Sequence, residues 1–342
     1  MQVERPDERL YSVPVNIEFH YYTVFFLAQR SGFNYEHSGI IAYSSQFVDS
    51  NIIQYSIDTG SSVYTTLVTQ NYGFWKSEAL RKINVPFHFI PGGPLNTEES
   101  PRRDRNRDPL LTLPNAPYAK QLLIDALKSK DLYRIGIALH SFADTWAHQN
   151  FCGIHSPLNR LGDGGIIPPI GHAQALRNPD SVELTWNDPR LSTPEINNRT
   201  RFLSAAKKIY RYLCTFNGRN YDDEELTAEE LKLLYKKGKS TEERILDFII
   251  GENIEKFSRN TWLEDVLGSI EDPGDDTIFK GYNKVLWLKD EVLYGNELIR
   301  KKPYKAVKNF YTTHLYRWME AAKTHQQKGL ALFGHLLPAE RQ

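Results

Sequence analysis

The chain has 342 residues, of which 40% are hydrophobic and 25% charged, a composition typical of globular proteins. Lys plus Arg and Asp plus Glu number 42 each, so no net basic field favours nucleic acid or an anionic membrane as a partner. The charged amino-terminal segment lacks the apolar stretch of a signal peptide, and no apolar run reaches the roughly 18 residues of a membrane span. Cys152 and Cys214 form no CxxC pair and predict free thiols in a cytoplasmic protein.

The first hundred residues predict helices joined by irregular segments. Apolar spacing predicts helices over 16–31 and 34–48. Residues 50–70, rich in β-branched residues and Tyr, indicate a short hairpin or an irregular loop. Pro and Gly exclude residues 86–94 from a helix interior. The charge run 97–109 predicts an exposed loop, because acidic residues among its arginines disfavour the alternative of a phosphate-binding site. The arginines of that alternative are Arg102, Arg103, Arg105 and Arg107.

The rest of the chain is predicted to be helical around one long irregular excursion. Helices are expected over 116–129 and 131–151, loops over 152–170 and 178–194, and helices from 195 onward, the last over 303–333. Capping boxes are expected at Thr227–Glu230 and Ser240–Glu243. Together these elements predict an all-α, multi-helix fold. Residues 1–194 form its metal-site region, and residues 195–342 form a carboxy-terminal extension or lid packed with it as one domain.

The most informative segment is the run from His140 to His148, His-Ser-Phe-Ala-Asp-Thr-Trp-Ala-His. On a helix, His140, Asp144 and His148 lie on one face, each about 40° and about 6 Å from the next. One ion cannot reach both ends of such a stripe, so Asp144 is expected to lie between two ions with a histidine on either side. A multinuclear metal site of this kind is typical of hydrolases. The alternative is a buried hydrogen-bonded network without metal.

Further candidate ligands are scattered over the first 190 residues. Each of them alone is better explained as a structural His or a capping Asp, but together they supply the ligands that the stripe lacks. Mixed imidazole and carboxylate ligands favour zinc, with manganese or iron as alternatives. These candidates are His20, Asp49, His88, His172 and Asp180.

The sequence blocks FHYY, QFVD, PFHF, HSFADTWAHQNF and IGHAQALRNPD resemble an uncharacterised, mostly bacterial family. That family is similar to the zinc-dependent phospholipase C and P1 nuclease superfamily. The resemblance covers about residues 16–190 and implies an all-helical fold with long loops that holds up to three zinc ions. The superfamily's ligands follow the order His, Asp, His, His-xxx-Asp, His, His-xxx-Glu.

The resemblance assigns ligands by position. His20, Asp49 and His88 resemble the first three ligands, His140 with Asp144 the His-xxx-Asp pair, and His148 the histidine after it, with His172 as the last histidine. Two departures stand out. The extension before His20 removes the amino-terminal ligand, and Leu176 stands where the final Glu is expected. Asp180 or Glu183 is a replacement for that carboxylate.

The resulting expectation is a zinc-dependent phosphate-ester hydrolase, first of all a phosphodiesterase similar to phospholipase C. It would act on a small-molecule or lipid phosphate ester, with the oligomeric state left open. His140, His88 and Asp49 are expected to hold one ion, and His148 and His172 another, with Asp180 as an additional ligand. Asp144 and Asp49 are the expected catalytic residues, Asp49 as general base, as implied by the resemblance. Tyr21, Tyr22 and Trp146 line the pocket or, as the stronger alternative, pack in the core.

Two other functions compete with hydrolysis. The same ligands close the coordination sphere in a metal-stabilised binding or scaffold protein without turnover. Oxygen chemistry at iron on the same frame ranks last. Other hydrolase signals are absent from the sequence: no His precedes Asp, and HExxH, GxSxG and Walker A motifs are missing.

Overall fold

The computed structural model describes residues 16–52, 54–70, 77–93, 100–162, 167–221, 240–267, 304–306 and 309–338. These residues are mostly helical, as the sequence predicts. The α-helices are α1 Val24–Arg30, α2 Tyr35–Ser50, α3 Ser77–Ala79, α4 Val85–His88, α5 Pro117–Ser129, α6 Leu132–Ala147, α7 Asn198–Phe216, α8 Thr241–Gly251, α9 Thr261–Leu267 and α10 His314–Phe333. A π-helical segment, Glu18–Thr23, leads into α1, and another, Leu80–Asn84, joins α3 to α4. Short 3-10 turns are Pro157–Asn159, Ala173–Ala175, Asn178–Asp180, Phe310–Thr312 and Gly334–Leu336.

Two small sheets accompany the helices and correct the expectation of a purely helical fold. Strands β1 Ser56–Asp58 and β2 Val63–Thr65 form an antiparallel hairpin, with which β5 Tyr304–Lys305 pairs in parallel at Ile57. Strands β3 Thr185–Asn187 and β4 Glu195–Asn197 form a second antiparallel pair. The hairpin confirms one of the two alternatives for residues 50–70. The second pair lies where the sequence predicts loop and helix.

Local capping explains several helix boundaries. The side chains of Asn34 and Asp131 accept hydrogen bonds from the first-turn amides of α2 and α6. Ser240 and Glu243 form the predicted capping box of α8. The capping box predicted at Thr227–Glu230 lies outside the described residues. These caps fix where the helices begin before any long-range packing is considered.

Helices α2 and α6 pack closely because α6 carries a glycine at their crossing. A Cβ atom built on Gly136 would lie 2.3 Å from the carbonyl oxygen of Ile41 and 2.5 Å from Cβ of Ser44. One turn further along each helix lie His140 and Asp49. The small residue therefore brings two candidate ligands within reach of each other.

The structure corrects the prediction of no helix interior at residues 86–88 and confirms it for residues 89–93, which are not helical. Pro86 lies inside the helical run that ends at His88, and it has no amide to bond the carbonyl oxygen of Lys82. Gln326 of α10 donates to that carbonyl at 2.6 Å instead. A side chain more than two hundred residues away thus permits the proline, which sequence spacing alone does not indicate.

Two helix boundaries and the burial of one arginine also differ from the predictions. Helix α6 ends at Ala147 and not at 151, and His148 is its C-cap residue. Helix α10 begins at His314 and not at 303. Within the charge run, Arg102 is buried, not exposed, because its guanidinium pairs with Asp104 and donates to a backbone carbonyl.

Apolar residues from Ile17 to Leu337 form one large core, so both halves of the chain contribute to it. A smaller cluster, which includes Phe89, Phe151 and Trp186, lies beside it. The boundary expected near residue 194 stays a prediction. In the described part of the chain, no helix has both the length and the apolar character needed to cross a membrane.

Candidate metal centre

Each candidate ligand lies on a helical element or next to one. His20 belongs to the first π-helical segment, Asp49 to the last turn of α2 and His88 to the end of α4. His140 and Asp144 lie on α6, and His148 caps it. His172 and Asp180 flank the two 3-10 turns after residue 170. The fold brings all eight predicted residues together, seven of them with side chains no more than 8% exposed.

Asp144 lies at the centre of an inner group formed by His20, Asp49, His88, His140 and Asp144. Its Oδ1 lies 3.1 Å from Nε2 of His20. Its Oδ2 lies 3.2 Å from both Nδ1 of His88 and Nε2 of His140. The two oxygens of one carboxylate thus face different histidines, which is the arrangement expected of a bridging ligand.

Asp49 completes the inner group from the opposite helix. Its Oδ1 lies 3.7 Å from Nδ1 of His88 and from Nε2 of His140, too far for a hydrogen bond but suited to an ion held between them. Its Oδ2 is buried and has no hydrogen-bond partner. Burial raises the pKa of Asp49 well above its usual range.

An outer group is formed by His148, His172 and Asp180. Nε2 of His148 lies 3.0 Å from Oδ1 of Asp180, and Nε2 of His172 lies 3.4 Å from Oδ2. The ring of Phe89 stacks on His148 with centroids 4.5 Å apart. The His172 side chain is 20% exposed, so the cluster reaches the surface here.

The structure corrects the expected partner of Asp144 on the second ion. Nδ1 of His148 lies 3.7 Å from Oδ2 of Asp144, but that nitrogen donates to the carbonyl oxygen of His88 at 2.8 Å. The nitrogen left for a metal is Nε2, which faces Asp180. Asp144 therefore serves the inner group, and Asp180 supplies the carboxylate of the outer one.

Backbone carbonyls fix the tautomers of three histidines. His88 donates from Nε2 to the carbonyl of Thr69 at 2.9 Å, and His172 donates from Nδ1 to the carbonyl of Leu176 at 2.9 Å. With His148 bonded in the same way, the second nitrogen of each ring faces a carboxylate. A ring nitrogen without a hydrogen would direct its lone pair at the carboxylate oxygen, and the two would repel each other. A cation, either a proton or a metal ion, must therefore lie between them.

The pKa directions distinguish the histidines from one another. Burial, helped by the neighbouring His20, lowers the pKa of His140 to about 3 and keeps it neutral. Burial also lowers the pKa of His172. Burial alone would lower the pKa of His148, but Asp144 and Asp180 outweigh it and raise the value to about 9. Without metal, His148 is therefore protonated at neutral pH.

The donor set fits a metal centre. Three sets of side chains each offer ligand atoms within 4.8 Å of one another: His20, Asp49 and His140; His88, His140 and Asp144; His148, His172 and Asp180. The buried Nδ1 atoms of His20 and His140 have no hydrogen-bond partner, so no bond to protein fixes these two rings through their second nitrogen. Imidazole and carboxylate in this ratio suit zinc.

Other predicted site residues are absent from the cluster. Glu183, the alternative for the missing carboxylate, pairs instead with Arg244 and Arg199. The core contains the buried side chains of Tyr21, Tyr22 and Trp146. Of the two predicted roles, lining the pocket and packing in the core, the structure supports the second. Of the charge run, Arg103 donates to the carbonyl of Leu191 and so stabilises the loop.

Sequence reasoning missed the groups that orient the ligands. The carbonyls of Thr69, His88 and Leu176 carry no side-chain signature, and only the folded chain brings them to the rings. Leu176 departs from ordinary backbone, with φ 55° and ψ −127°, and this conformation aims its carbonyl at His172. Nothing in the sequence indicates that a leucine adopts such a conformation.

The fold and the cluster define a mostly helical protein with a buried candidate metal centre. The chain belongs to the family described as "Family of unknown function (DUF6765)", whose model matches residues 15–331. No curated protein and no solved structure matches the chain. The resemblance to the phospholipase C and P1 nuclease superfamily therefore stays a prediction.

Proposed function

We propose that the protein is a zinc-dependent hydrolase of phosphate esters, a phosphodiesterase of the phospholipase C type. The observation that carries the proposal is the set of histidine ring nitrogens that face carboxylates. His88 faces Asp144, and His148 and His172 face Asp180, each ring held by a backbone carbonyl. Each such nitrogen needs a proton or a metal ion between it and its carboxylate, and burial, which lowers the pKa of His172, disfavours a second proton on that ring.

The two groups suit different tasks. The inner group offers five side chains, all nearly inaccessible, and holds ions that stabilise the fold. The outer group offers two imidazoles and one carboxylate, the ligand number of catalytic zinc sites that keep a position for water and substrate. His172 lies where the cluster meets solvent. We therefore place the substrate phosphate beside the outer group.

When bound, the metal supplies two effects: it lowers the pKa of water toward about 7, and it neutralises charge on the phosphoryl oxygens. The residues of the chain orient the ligands and exclude water from the interior. Asp49 belongs to the inner group, where its buried Oδ2 has no hydrogen-bond partner, so its expected role as general base stays a prediction.

Metal content is the first test. We expect two or three zinc ions per chain in untagged wild-type protein, measured by elemental mass spectrometry, and a loss of at least one ion in Asp144→Asn. Asp125→Asn is the control. Asp125 lies on α5 and forms a partly exposed ion pair with Arg134 and Lys328, so this substitution removes the same charge away from the cluster. A metal-free wild type, or equal content in both variants, would contradict the proposal.

Activity is the second test. Metal-loaded protein should hydrolyse bis(p-nitrophenyl) phosphate faster than p-nitrophenyl phosphate, and His172→Ala should abolish turnover. Activity should return with zinc after removal by a chelator. Equal rates in His172→Ala and wild type would place the reaction elsewhere.

The second candidate is a metal-stabilised binding or scaffold protein. The near-complete burial of seven of the eight ligands favours it, because buried sites with closed coordination are typical of structural zinc. The absorption spectrum of a cobalt-substituted protein distinguishes the two candidate functions. An outer ion with an exchangeable position changes its absorption spectrum when phosphate is added, whereas a closed site does not.

The proposed location is the cytoplasm. Cys152 is free and buried. Free thiols are typical of reducing compartments.

A further inference from the structure

Arg244 of α8 joins two segments that carry candidate ligands, one of the inner group and one of the outer group. We propose that Arg244 is a positioning residue that holds His20 and Asp180 in place, so that the carboxy-terminal part of the chain sets the metal affinity of both groups. This inference rests on the metal centre of the proposed function and not on its reaction.

The first contact is with the segment of the inner group. Nε of Arg244 lies 2.5 Å from Oε1 of Glu18, and Nη2 lies 2.8 Å from Oε2, a bidentate pair. Both residues are buried, at 3% exposure for Glu18 and 1% for Arg244. Glu18 lies two residues before His20 in the same π-helical segment. The guanidinium therefore restrains the turn from which His20 reaches Asp144.

The second contact is with the segment of the outer group. Nη1 of Arg244 lies 2.6 Å from Oε1 of Glu183, three residues after Asp180. Arg199 of α7 donates to the same oxygen at 3.0 Å. The loop that presents Asp180 is thus tied to two helices, and one arginine fork spans both ligand-bearing segments.

Helix α8, which carries Arg244, is itself held in place by several contacts. The capping box of Ser240 and Glu243 fixes the first turn of α8, and Nη2 of Arg244 also donates to Thr241 in that turn. One turn after Arg244, the ring of Phe248 stacks on Tyr22 with centroids 5.9 Å apart. Tyr22 belongs to the segment that carries His20. Polar and apolar contacts therefore dock α8 on the segment that carries His20.

The test replaces the buried pair without leaving an unpaired charge. In Glu18→Met with Arg244→Met, apolar residues of similar length replace both partners, a change that folded proteins often tolerate, while Glu183 keeps Arg199. Arg30→Met is the control, because it removes an exposed pair with Glu252 between α1 and the end of α8. All variants are full-length chains, and zinc and cobalt are the ligands titrated.

We expect the double variant to keep the wild-type thermal midpoint in metal-free buffer and to bind zinc roughly 10- to 100-fold more weakly, the range seen when groups supporting metal ligands are lost. Its cobalt absorption should shift, because ligand geometry changes. Arg30→Met should match wild type in both. Arg244→Lys keeps the positive charge but not the bidentate pair, so its zinc affinity should lie between those of the wild type and the double variant. If the double variant does not fold, Arg244→Lys tests the inference in its place.

Three results overturn the inference. Wild-type zinc affinity and cobalt spectrum in the double variant or in Arg244→Lys would show that the fork stabilises the fold only. Equal losses in Arg30→Met would show that any contact between α8 and α1 has the same effect. A wild type that binds no zinc would reject the metal centre itself, a result distinct from the other two.

Discussion

Nδ1 of His148 lies 2.8 Å from the backbone carbonyl oxygen of His88, so one candidate ligand orients another. His88 is in turn held by the carbonyl of Thr69. The inner and outer groups are therefore mechanically linked through a peptide group and not through a shared carboxylate. A change in the position of α4 would move ligands of both groups at once.

The two groups should respond differently to loss of a ligand. We expect His172→Ala to remove the outer ion, with more than 100-fold weaker binding there, and to shift the thermal midpoint by only a few degrees, because the side chain reaches solvent. His140→Ala should lose inner metal and destabilise the fold by about 3 kcal/mol, because it leaves a cavity in a buried helix face. Elemental analysis with thermal unfolding checks both; identical behaviour of the two variants would contradict the division into groups.

The approach of α2 to α6 depends on the missing side chain of Gly136. We expect Gly136→Ala to destabilise the protein by about 3 kcal/mol through overpacking and to weaken metal binding, since Asp49 and His140 lie on the two helices that must separate. Gly251→Ala is the matched control, with nothing within 4 Å of its Cβ position, and should be neutral or slightly stabilising. Chemical denaturation measures both, and a stable Gly136→Ala protein with full metal content would rule out this account.

Leu176 holds a backbone conformation that favours glycine, at φ 55° and ψ −127°, while its side chain is 63% exposed. We expect Leu176→Gly to stabilise the protein by about 1 kcal/mol, because the strain is relieved and little packing is lost. Leu176→Ala keeps the strain and should show no gain. The carbonyl bond to His172 is retained in both, so the zinc content should not change. A loss of stability in the glycine variant would contradict the argument.

His325 of α10 gives the fold a pH dependence. Burial lowers its pKa from 6.5 to about 4, and its ring contacts the carbonyl of Pro86 and the hydroxyl of Ser141. Between these values the unfolded chain binds the proton more readily, so stability is fully present above about pH 6.5 and is lost as pH falls toward 4. From pH 7 to 5 this one group should cost about 2 kcal/mol.

The variant His325→Gln isolates that contribution, because glutamine keeps a donor for Pro86 but does not titrate. Unfolding free energies of metal-free wild type and variant are compared at pH 7 and pH 5. The wild type should lose about 2 kcal/mol more than the variant over this interval. Parallel losses in the two proteins would assign the pH dependence to other groups.

The sequence by itself determined features that depend on neighbours within a few residues. The stripe of His140, Asp144 and His148 follows from helical spacing, and the capping box at Ser240 from a four-residue pattern. The hairpin within residues 50–70 was one of two alternatives that composition allowed. The choice of His and Asp as candidate ligands likewise needed no fold.

Only the tertiary structure decided how those residues are used. It selected the nitrogen that His88, His148 and His172 present, because backbone carbonyls take up the other one. It placed Glu183 with Arg244 and Asp180 with the outer histidines, two carboxylates that sequence spacing could not distinguish. It also allowed Pro86 within a helix, through Gln326. In most of these cases the deciding partner lies far along the chain, where short-range patterns carry no information about orientation or charge pairing. The Leu176 carbonyl, four residues from His172, is the exception.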